Sequence, residues 1–291
     1  MKQGYFVKGI FLAFLVAVMA GCNPPAGRKT GKPVVLVSIL PQKTFVEKIG
    51  GDDFTVSVLI PHGANPTTYS LLPAQMEEIS SAGVWFRMGY IGFEQSWGNR
   101  IRETNPGMKI VDLSEKLELV KVEIPGKGGN DSGTDPHTWL SPTNVRAMAT
   151  RILEELILLN PAGNDEYSLR FKEFEKEIDF TDREIRKILD HSKGKTIITY
   201  HPSLTYFARD YGLVQLSIEQ GGKEPTPANL ARLVSAARDN GIGVIYIQSE
   251  FDRELASVFA GEINGRIIQI WPLNPDWSRN LTEIASTIAS N

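Results

Sequence analysis

The stretch PAGNDEYSLRFKEFEKEIDFTDREIRKILDH, residues 161–191, decides the architecture. It is strongly charged, yet Tyr167, Phe171, Phe174, Ile178, Ile185 and Ile188 recur at spacings of four, three, four, seven and three. That is one apolar stripe along a helix. A helix over 163–190 rises roughly 40 Å at 1.5 Å per residue, about the height of a domain. A break near Phe180-Thr181-Asp182 into two helices is the competing reading.

On either side of this segment lie two similar sets of short apolar runs rich in β-branched residues. Before it come PVVLVSI (33–39), FTVSVLI (54–60), VWFRM (84–88) and KIVDL (109–113); after it come KTIIT (195–199), VQLSI (214–218), IGVIYI (242–247) and RIIQI (266–270). Such runs suit parallel strands covered by helices on both faces. The fold class is therefore α/β, with two lobes, each a four-stranded mostly parallel sheet flanked by helices, joined by one long helix. The expected division is an N-terminal lobe over 33–160, the linking helix over 161–192 and a C-terminal lobe over 193–291.

The first residues read as an address. MKQGYFVKGIFLAFLVAVMAGC has two lysines, an apolar run from Ile10 to Ala20 and then small residues before Cys22. The run is too short to span a bilayer, so residues 1–21 read as a cleaved export signal. Ala20-Gly21-Cys22 resembles a bacterial lipoprotein box, which makes Cys22 the lipidated first residue of the mature chain, held at the outer face of a membrane or in the periplasm. Residues 22–32, rich in Pro and Gly, form the tether. Cys22 is the only cysteine in the chain, so no internal disulfide is available and stability must come from an ordinary core. Without Lys2 and Lys8 the count is 29 basic against 34 acidic residues. That balance argues against nucleic acid as a partner.

The chain has four histidines. His62 follows the second strand run by two residues and His201 follows the fifth by two. Ligands of open parallel sheets bind beyond the carboxyl ends of the strands, so both loops face a crevice. His137, in TDPHTWLSP (134–142), lies in the connection between the lobes. His191, near the end of the long helix, reads as a cation on the helix dipole. Three converging imidazoles suggest a transition metal, although no HExxH or CxxC spacing supports it.

Further stretches sharpen this reading: FVEKIGGD (45–52), IPHGANPTTYSLLPAQMEEI (60–79), DPHTWLSPTN (135–144), YHPSLTYFARDYGL (200–213) and EPTPANLARLV (224–234). In this order they resemble the substrate-binding lipoproteins of zinc and manganese ABC importers. The resemblance implies two α/β lobes on one long helix, a metal held in the cleft by four ligands and delivery to an ABC permease by a monomer. It makes His137 and His201 ligands. Imidazole at 201, where manganese-preferring relatives carry Glu, points to zinc rather than manganese. Two positions depart from the family pattern. Thr67 stands where the first ligand histidine is expected and Trp271 where the last ligand aspartate is expected. His62 in the same loop and Asp276, five residues past Trp271, are the candidate replacements; Glu250 is a third. The interval IPGKGGNDSGT (124–134) lacks the His-rich loop of many zinc members.

Three functions follow from these residues. The first is a binding protein, not an enzyme, that captures a divalent metal outside the membrane. The second is a family member whose site has drifted to another metal, a metal chelate or nothing. The third is a metallohydrolase with Glu250 as base, for which no nucleophile or substrate pocket is marked.

Overall fold

The computed structural model describes residues 31–123, 132–219, 225–251 and 253–291. The export signal, Cys22 and most of the tether lie outside these residues.

In the first lobe the strands are β1 (Val34–Val37), β2 (Thr55–Val58), β3 (Val84–Arg87) and β4 (Lys109–Asp112). They pair in the order β2-β1-β3-β4, all parallel. Helices α1 (Leu40–Gly50), α2 (Gln75–Ser81) and α3 (Gly92–Thr104) connect them. Val35, Leu36 and Val37 of β1 and Val84, Trp85 and Phe86 of β3 are all buried, as continuous apolar runs in central strands should be.

The second lobe repeats the plan. Its strands β7 (Thr196–Thr199), β8 (Val214–Ser217), β9 (Val244–Gln248) and β10 (Arg266–Ile270) pair in parallel in the order β10-β9-β7-β8. The helices here are α6 (Thr205–Tyr211), α7 (Pro227–Asp239), α8 (Glu254–Glu262) and α9 (Trp277–Ala289).

Between the two sheets lie α4 (Pro142–Leu159) and α5 (Asn164–Ile188). Ser141 starts α4 by accepting the Asn144 N–H, with Pro142 at the first helical position, where its missing N–H costs nothing. Residues 164–188 form one helix without a break at Phe180-Thr181-Asp182. Tyr167, Phe174, Ile178, Thr181 and Ile185 make its buried face. On the first-lobe side Phe174 packs against Phe45, with 5.6 Å between ring centroids, and Tyr167 donates to the Asp53 carboxylate at 2.6 Å. On the second-lobe side Phe174 meets Trp277 at 6.4 Å and Asp182 accepts the Tyr211 hydroxyl at 2.9 Å. Most of the buried core residues of both lobes join one continuous cluster along this helix.

One element has no counterpart in the sequence reading. β5 (Lys121–Glu123) and β6 (Ser132–Thr134) pair antiparallel just before His137. Three-residue strands beside a Gly-rich interval carry too little periodicity to be read.

At the carboxyl ends of β1 and β3 the first lobe buries a charged group. Glu94, in the first turn of α3, accepts the Ser38 hydroxyl and the N–H groups of Met88 and Gly89, each of the latter at 2.7 Å. Trp85 Nε1 donates to the same Ser38 oxygen at 3.1 Å. Burial pushes the Glu94 carboxyl up from 4.5 to about 7, against the pull of these donors and of Arg87. The folded chain therefore holds a proton between those values that the unfolded chain has released, so stability falls as pH rises through that window. Glu94→Gln removes the titration. Its amide nitrogen faces the Gly89 N–H, which adds a cost that does not change with pH. The stability of Glu94→Gln relative to wild type should then rise by on the order of 3 kcal/mol between pH 4 and pH 8. Urea unfolding at both pH values measures it, and a constant difference would sink the assignment.

Candidate metal centre

The order β10-β9-β7-β8 places a switch point between β7 and β9. The chain leaves β7 toward β8 on one side and later enters β9 on the other, so the loops after β7 and β9 part and leave a crevice. His201 follows β7 by two residues, and Phe251 follows β9 by three.

His137 reaches the same place from the connection between the lobes. Asp135 Oδ1 accepts both the His137 backbone N–H, at 2.8 Å, and its ring Nδ1, at 2.9 Å. One carboxylate oxygen thus makes the turn and orients the imidazole. The Asp135 carbonyl is itself tied by the Tyr206 hydroxyl at 2.9 Å. Burial works to raise the Asp135 carboxyl, but its electrostatic attraction to the His137 ring and the hydrogen bonds from His137 and Thr205 outweigh it and hold the group below its ordinary range.

His201 has the matching arrangement. Its Nδ1 lies 2.9 Å from Glu219 Oε2, and Glu219 is buried. The source of this contact is strand register. β7 and β8 pair Thr199 with Ser217, and His201 and Glu219 each lie two residues beyond that pair.

The two Nε2 atoms face each other at 3.2 Å. An ionised carboxylate only accepts hydrogen bonds, so each Nδ1 carries its hydrogen and each Nε2 of a neutral ring presents a lone pair. Two lone pairs at that distance repel unless a cation lies between them, either a shared proton or a metal ion. Two nitrogens bound to tetrahedral zinc at about 2.0–2.1 Å stand about 3.3–3.4 Å apart. The spacing of the pair suits that geometry.

Aromatic rings surround the pair. Phe251 lies nearly parallel to His201 at 4.9 Å and 21°, and Tyr200 stands 5.5 Å from Phe251. Trp139 packs 5.2 Å from His137 and donates its indole N–H to the Pro272 carbonyl at 2.9 Å.

The other sequence candidates sit elsewhere. His62 is exposed and meets Trp271 edge-on at 4.6 Å, a contact between loops of the two lobes. Thr67 is exposed in the same loop, its N–H donating to Asn65. Asp276 is exposed at the N-cap of α9, where its N–H donates to Asn274 Oδ1 at 2.9 Å. Glu250 is half-buried and accepts the Ser249 hydroxyl at 2.9 Å. His191 is exposed in a turn after α5. Among the described residues, no group of three or more His, Cys, Asp or Glu stands close enough together to hold a metal ion. The structure thus brings His137 and His201 together and leaves His62 and Asp276 apart from them.

Sequence reasoning assigned no role to Glu219 or Phe251. An Asp two residues before a histidine was a visible signal for Asp135, but Glu219 becomes visible only once β7 and β8 are known to be neighbours. Carboxylates that brace ligand imidazoles typically matter about 10–100-fold for metal affinity. Asp135→Asn and Glu219→Gln should each weaken zinc binding by about that factor. Competition against a fluorescent zinc chelator measures it, with circular dichroism as the control for folding.

Two parallel α/β sheets packed along one continuous helix, with a carboxylate-braced imidazole pair beyond the strand ends, are the architecture of a two-lobed binding protein. The chain belongs to the family of the zinc-uptake complex component A, periplasmic (ZnuA), whose family model matches residues 35–291. This is a family of metal-transport binding proteins, not of enzymes. A protein of Chlamydia muridarum (strain MoPn / Nigg), named only provisionally as metal-binding, is 30% identical over 256 residues, 88% of this chain and 90% of that one. The high-affinity zinc uptake system protein ZnuA of Bacillus subtilis (strain 168) is 26% identical over 276 residues, 91% of this chain and 86% of that one. A crystal structure of ZnuA superposes with a TM-score of 0.82 at 36% identity, covering 89% of this chain and 99% of that one. Relatives include a zinc-binding lipoprotein, AdcA, and a manganese ABC transporter substrate-binding lipoprotein, PsaA.

Proposed function

We propose that this chain is the extracytoplasmic binding protein of an ABC importer, which captures a divalent transition metal, zinc before manganese, and delivers it to the permease. The observation that carries the reading is the 3.2 Å separation of His137 Nε2 and His201 Nε2, each ring braced at Nδ1 by a carboxylate. Nitrogen ligands favour zinc, where carboxylate oxygens would favour manganese.

His62 and Asp276 are the chain's own options for a third and a fourth ligand. His62 would have to turn off the Trp271 ring. Asp276 would have to carry the head of α9 toward the pair. The lipid anchor at Cys22, which rests on the Ala-Gly-Cys ending of the apolar run, would keep the protein beside its permease as a monomer.

Metal analysis tests the reading. Protein purified from membranes without a His tag should contain about one zinc per chain by mass spectrometry, and its N-terminal peptide should begin at a diacylglyceryl-modified Cys22. Apo protein that takes up neither zinc nor manganese would refute metal capture. A free Cys22 thiol inside a longer chain would refute the anchor alone.

A further inference from the structure

His137 and His201 lie 64 positions apart in the chain, so no local geometry fixes their separation. His201 stands between β7 and α6, whereas His137 belongs to the connection that follows the first sheet. The two segments are joined by α6. Arg209 Nη1 donates to the Glu118 carbonyl at 3.0 Å. The Tyr206 hydroxyl accepts the Val120 N–H at 3.1 Å and donates to the Asp135 carbonyl at 2.9 Å. Thr205 adds a hydrogen bond to the Asp135 carboxyl, and Asp210 accepts the Ser141 hydroxyl. The helix that follows His201 thus holds the His137 segment both before and after the imidazole.

Tyr206 has the central place in this seam. Strands β5 and β6 pair Lys121 with Thr134, so Val120 and Asp135 are the next pair outward. Facing residues of an antiparallel ladder ordinarily exchange two backbone hydrogen bonds. One is direct here, from the Asp135 N–H to the Val120 carbonyl at 3.0 Å. The return bond runs through the Tyr206 hydroxyl, which can donate and accept at once. Burial pushes that hydroxyl up to about 12, so it keeps its proton at neutral pH. The Arg209 guanidinium lies 5.0 Å from the ring centroid and holds the ring from one side. From the bridged residue the path to the pair is short. Asp135 Oδ1 accepts His137 Nδ1, and His137 Nε2 faces His201 Nε2.

We propose that Tyr206 is a positioning residue for metal capture: its hydroxyl, set into the Val120–Asp135 pair, fixes how Asp135 presents the His137 imidazole to His201. It acts through Asp135. Without the hydroxyl the pair is free to close into an ordinary ladder bond, which shifts the Asp135 backbone and swings the imidazole it orients. The inference rests on the reading of His137 and His201 as the metal-binding pair.

The test compares Tyr206→Phe with Tyr211→Phe in the mature protein. Tyr211 is buried on the same helix, but its hydroxyl donates to Asp182 on α5. Both variants keep their rings and lose one buried hydrogen bond, and thermal melts confirm that each folds. Competition against a zinc chelator should show about a tenfold loss of affinity in Tyr206→Phe, the low end for groups that support ligand imidazoles. Tyr211→Phe should bind zinc as wild type does. In an Asp135→Asn background Tyr206→Phe should add almost no further loss, because the two residues act in series. In the metal-free protein, the ring-nitrogen NMR signals of His137 should move in Tyr206→Phe and stay in place in Tyr211→Phe. Equal losses of affinity in the two tyrosine variants, full additivity with Asp135→Asn, or unmoved His137 signals would each overturn the proposal. If wild-type protein binds no zinc while the His137 signals still move in Tyr206→Phe, the metal reading falls and the anchoring of His137 by Tyr206 stands.

Discussion

On the proposed reading, His137→Ala and His201→Ala should each lower zinc affinity by about two to three orders of magnitude. Structural zinc sites contribute about 10–16 kcal/mol over four ligands, or about 3–4 kcal/mol for each, which is a factor of about a hundred to a thousand. The loss should sit at the upper end here, because removing one imidazole also removes the partner that fixes the other at 3.2 Å. His201 is half-buried and His137 is buried, but both lie outside the apolar core cluster, so the folded state should survive. Isothermal titration of apo protein with zinc gives the affinity, and far-ultraviolet circular dichroism gives the fold. Wild-type affinity in either variant would remove the pair from the metal and reduce DPHTW to a structural turn.

Trp277→Ala should be the most damaging single change to stability. The ring is 2% exposed, wedged edge-on against Phe45 at 5.7 Å and beside Phe174 at 6.4 Å. Its indole N–H donates to the Trp139 carbonyl at 2.6 Å. Truncating a buried tryptophan to alanine costs about 3–5 kcal/mol, and the abandoned carbonyl adds about 1–3 kcal/mol. In a chain of this size that corresponds to a fall in Tm of about 10 °C or more. Trp277→Phe keeps most of the packing and loses the hydrogen bond, so it should cost about 1–3 kcal/mol. Calorimetry on both variants separates the two contributions. A drop of less than 1 kcal/mol in Trp277→Ala would mean that the junction of α1, α5 and α9 is held by something else.

Most of the fold was legible because its signals are local. A stripe at helical spacing and β-branched apolar runs belong to single elements, and the eight strand runs and the long helix appear where those signals place them. The centre was only partly legible. The strand-end rule put His62 and His201 in loops facing one crevice and left His137 in the connection between the lobes; the structure joins His137 to His201. Glu219 braces His201 through the register of two strands, a property of no single segment. The contact between His62 and Trp271 joins residues more than two hundred positions apart, and no spacing rule reaches so far. Asp276 shows two signals in competition. An acidic residue beside a site reads as a ligand, and an Asp just before a helical run also reads as an N-cap; the chain has Asp276 exposed at that position, with no side-chain capping bond.

The unbroken helix α5 bears on the speed of exchange. Its buried face is packed on both lobes, through Phe45 and Tyr167 on one side and Trp277 and Tyr211 on the other. Opening the molecule like a jaw would tear that seam. Access to the imidazole pair then depends on side-chain and loop rearrangements, which run over picoseconds to microseconds where domain swings take microseconds to milliseconds. Cargo residence would therefore be set by the strength of the bonds to His137 and His201 rather than by a slow mechanical clock.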